Sequence, residues 1–110
     1  MISAAPSPID MEHLGTYTQG DRDLELELLT MFLPSAEGYL DAMKLGSGEA
    51  WWTAAHSLKG VALGVGAGEV ATLAEAPEEL QDAPPGPRAN QIAALGAALE
   101  RVRDFVAALG

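Results

Sequence analysis

The chain has 110 residues, a formal net charge of −10 and no cysteine. That length serves one hydrophobic core, and the missing cysteine excludes disulfide scaffolds and thiolate metal sites. The charge repels nucleic-acid phosphates and anionic lipid surfaces. No stretch approaches the roughly eighteen apolar residues of a membrane span, and Met1-Ile2-Ser3-Ala4-Ala5-Pro6 lacks the basic start and apolar run of a secretory signal. The expectation is a cytoplasmic protein whose partners include neither nucleic acid nor membrane.

Residues 1–8, with Pro6 and Pro8, read as a loose lead, followed by a short helix over Ile9–Leu14 and a turn over Gly15–Gly20. From Asp21 an amphipathic segment runs to about Leu45, with Leu24, Leu28, Met31, Phe32, Tyr39 and Met43 as its expected buried side. The alternation Leu24-Glu25-Leu26-Glu27-Leu28 suits a strand, but the segment's length and its helix formers favour a helix. Pro34 should bend that helix or loosen a turn. Leu45-Gly46-Ser47-Gly48 closes it, and Ser47 can cap the next helix, with Glu49 well placed in the first turn.

The next helix is expected from Gly48 to Leu63 or Val65, where Gly64, Gly66 and Gly68 mark either its end or a close crossing. A further helix from about Ala67 turns Val70, Leu73 and Leu80 inward, and Pro77 should break or kink it. Residues 82–87 read as a loop whose Pro87 can occupy the first turn of a last helix. Ile92, Leu95, Leu99, Val102, Val106 and Leu109 give that helix a well-defined apolar stripe. The prediction is an all-α fold, an antiparallel four-helix bundle with a short additional N-terminal helix, forming one domain over residues 1–110 and monomeric.

Chemistry concentrates at His56. Trp51, Ala55, Leu58, Ala62 and Val65 make one apolar stripe, and at about 100° per residue His56 projects roughly 140° from its middle and Gly60 about 180°. The imidazole therefore faces outward. Lys59 stands one turn beyond it, on the same side, and would attract phosphoryl oxygens. Gly60 costs a helix roughly 1 kcal/mol relative to alanine, and a bare patch there is useful where something bulky must approach.

His56, Leu58, Lys59, Gly60, Gly66 and Ala67 carry the pattern His-x-Leu-Lys-Gly, five residues, Gly-Ala. In this the chain resembles the histidine-containing phosphotransfer (HPt) domains of two-component phosphorelays. Ile9-Asp10, Gly20-Asp21, Leu28-Leu29 with Phe32, and Trp51-Trp52 look like further landmarks of that family. The resemblance implies a phosphoacceptor at His56, with Lys59 stabilising phosphoryl charge and Gly60 giving steric access. It also implies a response-regulator receiver domain and a hybrid sensor histidine kinase as partners, with Mg²⁺ on the receiver and no cofactor bound by this chain. A neutral imidazole can accept an activated phosphoryl group and pass it on. No Gly-rich phosphate loop is present, so the expectation is a phosphotransfer intermediate without its own ATP site.

Trp52, Ser57 and Leu63 are the expected docking contacts around the histidine, although a tryptophan beside Trp51 is more often half-buried core and a serine such as Ser57 more often simply solvated. His13 has no supporting constellation and reads as solvent-facing or capping. Two other functions stand against phosphotransfer. A non-phosphorylated helical adaptor binding a signalling partner would leave His56-Lys59-Gly60 unexplained. An enzyme using His56 as general base would need a nearby carboxylate, and Glu49, two turns away, is the closest acid on that face of the helix.

Overall fold

The computed structural model describes residues 7–46, 48–75 and 85–110. Among them the chain forms five helices and no strand: α1 (Met11–Thr18), α2 (Arg22–Leu45), α3 (Gly48–Val65), α4 (Gly68–Glu75) and α5 (Pro85–Leu109). The expected cap at Ser47, the break at Pro77, the inward placement of Leu80 and the start of the loop at Asp82 lie outside the described residues.

Asp10 is extended and its carboxylate accepts the His13 N–H at 3.1 Å, which starts α1 at Met11. The helix runs through Gly15 and stops only at Gln19, whose left-handed backbone (φ 54°) sends its N–H to Gly15 O. The expected turn over Gly15–Gly20 is thus corrected: its first four residues are helical. Buried Thr18 explains part of this, since its hydroxyl donates to Glu25 Oε2 at 2.7 Å and ties the end of α1 to α2.

Asp21 caps α2 by accepting the Leu24 N–H at 3.2 Å. The helix buries Glu25, Leu29, Phe32, Ala36, Leu40 and Met43, at steps of three and four. The expected buried face was therefore rotated: Phe32 and Met43 are buried, Leu28 and Tyr39 are half-buried, but Leu24 and Met31 are 37% and 62% exposed. Glu25 takes the inward position because it is bonded, to the Thr18 hydroxyl and, at 3.2 Å, to the Arg22 guanidinium. The helix continues unbroken through exposed Pro34.

Glycine ends α3. Gly66 (φ 79°) lets Ala67 N–H reach Ala62 O at 2.8 Å and its own N–H reach Leu63 O at 3.3 Å, the paired bonds of a Schellman cap. Gly66 also meets α1 closely: Asp10 N–H donates to Gly66 O at 2.8 Å, and a Cβ on Gly66 would lie 2.9 Å from Asp10 O. The glycine cluster thus marks both an end and a close crossing. Pro85, Gly86 and Pro87 lie inside the first turn of α5, so the expected loop gives way to helix at Pro85; prolines fit there because the first-turn N–H groups have no intrahelical acceptor.

Cross-helix pairs fix the helix directions. Arg103 pairs with Glu37, and Gly110 lies beside Leu26, so α5 runs against α2. Arg101 pairs with Glu69 at 2.8 Å and the Gln91 amide donates to Leu73 O, so α5 also runs against α4. The chain reverses between α2 and α3 and, through residues 66–67, between α3 and α4. The four helices α2–α5 form an antiparallel bundle and α1 packs against α2 and α3. Trp51, Leu58, Leu29, Phe32, Leu95, Leu99 and Val102 supply its bulk. The buried faces of α3 and α4 are rich in alanine: Ala54, Ala55, Ala62, Ala71 and Ala74 are buried alongside Trp51, Leu58 and Val70.

Candidate functional site

Trp51, Ala54, Ala55, Leu58 and Ala62 form the buried side of α3, with Val65 half-buried. His56 and Gly60 are exposed opposite them, as the helical rotation requires. The buried stripe anchors the backbone of α3 while its other face stays open, so the imidazole stands on a packed scaffold.

Around His56 the structure assembles some of the expected residues and separates others. Trp52 is half-buried and stacks on the imidazole, ring centroids 4.8 Å apart and planes 7° from parallel. Lys59 lies on the same flank, its side chain 31% exposed. Leu63, two turns beyond His56, is 53% exposed. Ser57 is turned to the other flank, where it lines a groove between α2 and α3 with Tyr39, Ala42, Ala50 and Thr53. Glu49 lines that groove too, so it is not the acid beside the histidine.

Among the described residues the acid beside the histidine is Glu75. At the end of α4 it accepts a hydrogen bond from Lys59 Nζ at 3.4 Å and, with Trp52, Ala55, His56, Lys59 and Ala74, lines a notch of about 10 Å³. Sequence reading missed Glu75 because sixteen residues and the Gly66 reversal separate it from Lys59. Its signal was the helical hairpin itself: folding α4 back along α3 from Gly66 brings 75 alongside 59. Among the described residues no hydrogen bond reaches the His56 ring, so Glu75 answers to the lysine rather than acting as an orienting partner of the imidazole.

Gly60 faces open space: a Cβ there would meet nothing within 4 Å. No packing within the described chain requires glycine at this point. The notch is far smaller than the roughly 300–1,000 Å³ of sites that enclose small molecules. A larger groove of about 860 Å³ lies apart from His56, lined by Ile9, Gly66, Glu69, Leu73, Arg101 and Phe105 among others. His13 differs from its expected role. It is half-buried and packs edge-on against Tyr17, and the cap it takes part in uses its backbone N–H rather than its ring.

A family model for the Hpt domain matches residues 27–110, from the second turn of α2 to the last residue. The chain belongs to the Hpt domain family. Hpt domains serve histidine phosphotransfer in phosphorelays, as intermediates rather than as catalysts with an ATP site of their own, and they work with receiver and kinase domains of two-component systems. No curated protein and no solved structure matches this Hpt domain significantly. The match leaves out α1 and the first turn of α2, the part of the chain that carries His13 and Glu25. No described helix is long and apolar enough to cross a membrane.

Proposed function

We propose that this Hpt domain relays a phosphoryl group between receiver-domain aspartates through a phosphohistidine at His56. The observation that carries the reading is the exposed imidazole on the open face of α3, with a lysine on one flank and an unfilled position one turn on. A notch of about 10 Å³ encloses no small substrate, so the phosphoryl group arrives on a protein surface.

In the proposed step a ring nitrogen of His56 bonds to phosphorus as the bond from phosphorus to the aspartyl oxygen breaks, and the electron pair leaves with the carboxylate. Mg²⁺ belongs to the receiver in this reading. Lys59 moves from Glu75 to the phosphoryl oxygens, exchanging one carboxylate for a group of greater charge. Gly60 leaves space for the receiver's loops, and Trp52 and Leu63 offer apolar contact at the rim. Ser57 belongs to the far edge of that docking surface. One domain over residues 1–110, acting as a monomer in the cytoplasm, completes the reading.

The test is transfer of label from several phosphorylated receiver domains to the full chain, with the modified residue located by mass spectrometry. The expected result is an acid-labile phosphoryl group on His56 from at least one receiver. Stable binding of a receiver with no transfer from any of them would establish the adaptor instead.

A further inference from the structure

Trp51 and Trp52 are consecutive on α3 and do different things. Trp51 is buried in the core, whereas Trp52 lies half-buried with its indole face against His56, one helical turn away. At 7° between planes and 4.8 Å between centroids, the contact is an offset stack against one face of the imidazole. Both ring nitrogens carry their lone pair or proton in the ring plane, so a face contact leaves them free at the edge. The stack restricts rotation of the ring without occupying either nitrogen.

We propose that Trp52 is a positioning residue for phosphoryl transfer at His56, holding the imidazole plane and presenting a π face to the positive charge that the ring gains as its nitrogen bonds to phosphorus. The proposal rests on the reading of His56 as the phosphoacceptor. Bond formation draws an electron pair from the ring, and the charge is relieved when the second nitrogen gives its proton to water. An indole face is the most electron-rich that a protein offers to such a charge. A ring already held in plane loses less orientational freedom on reaching the transition state. Phenylalanine keeps a weaker face, and leucine keeps apolar bulk with no face.

The experiment uses potassium phosphoramidate as donor to the full chain, which separates the chemistry at His56 from receiver docking. Transfer breaks the P–N bond of the donor, releases ammonia and forms the bond to His56. Labelling rates are compared for the wild type, Trp52→Phe and Trp52→Leu, and the His56 ring protons are followed by NMR. The stack should shift those protons upfield in the wild type, less so in Trp52→Phe and not at all in Trp52→Leu. The rate should fall by about 3-fold in Trp52→Phe and about 10-fold in Trp52→Leu. Should Trp52→Leu fail to fold, Trp52→Phe decides the matter. Equal labelling rates in the folded proteins, or unshifted ring protons in the wild type, overturn the positioning role alone. A wild type with shifted ring protons that takes no label at His56 overturns the phosphoacceptor reading, and the role of Trp52 falls with it.

Discussion

Both histidines of this chain have an aromatic neighbour four residues away on the same helix, and the two helices use the pair in opposite ways. His13 meets Tyr17 edge-on, with ring planes 80° apart and centroids 5.3 Å apart, and its Nε2 is buried without a hydrogen-bond partner among the described residues. His56 lies flat against Trp52 at 7°, exposed, with its ring edge free. Sequence spacing is the same in both pairs. What separates them is the surface on which each helix sits: α1 is pressed onto α2 and α3, whereas His56 and Gly60 stand exposed on the outer face of α3. A histidine becomes a candidate nucleophile when its ring edge is accessible, and helical periodicity around His56 reports that where periodicity around His13 does not.

The sharpest test of this contrast replaces each histidine in turn. His56→Gln should abolish acid-labile labelling from a phosphorylated receiver, whereas His13→Gln should leave it intact; label retained in the first protein, or lost from a folded second one, ends the distinction. Gly66→Ala acts on the link between the two regions, because Gly66 holds φ 79° and faces Asp10 O with no room for a Cβ. It should cost at least about 2 kcal/mol, measured by urea unfolding, and a midpoint equal to wild type would remove the crossing from the fold's requirements.

Thr18→Val works on the His13 side alone. It strips the buried Glu25 carboxylate of its 2.7 Å hydrogen bond and should destabilise by about 1.5 kcal/mol, with the labelling rate at His56 unchanged. A labelling rate that fell along with stability would show the two regions to be coupled. Lys59→Ala works on the other side, and should slow transfer about tenfold, or about 1.4 kcal/mol, while shifting the thermal midpoint little, since the pair it loses is a long 3.4 Å contact to an exposed Glu75. An unchanged rate takes Lys59 out of the mechanism.

The legibility of the fold follows the same division. The stripes of α3 and α5, the start of α2 at Asp21 and the place of Pro87 in a first turn were readable because each is local: apolar periodicity and a missing N–H act within a turn or two. The buried face of α2 was not readable from Leu24-Glu25-Leu26-Glu27-Leu28, since every other residue is a leucine and the inward position goes to Glu25. Only the Thr18 hydroxyl and the Arg22 guanidinium make that burial tolerable, and the former comes from another helix. At the site, the outward His56, the flanking Lys59 and the bare Gly60 followed from rotation along one helix. Glu75 did not, because its place beside Lys59 is set by where α4 turns back. Trp52 was expected at the rim as a docking contact, while its stack on the imidazole depends on rotamers that spacing alone leaves open.

The alanines beneath the site impose a constraint of their own. Ala55 and Ala74 are buried and line the notch that holds His56, Lys59 and Glu75. A buried methyl group has no side-chain torsion of its own with which to absorb an added carbon, so a larger residue there must displace its packed neighbours. A larger residue at Ala55 or Ala74 would therefore change the spacing around His56, although neither methyl group has any chemistry to contribute.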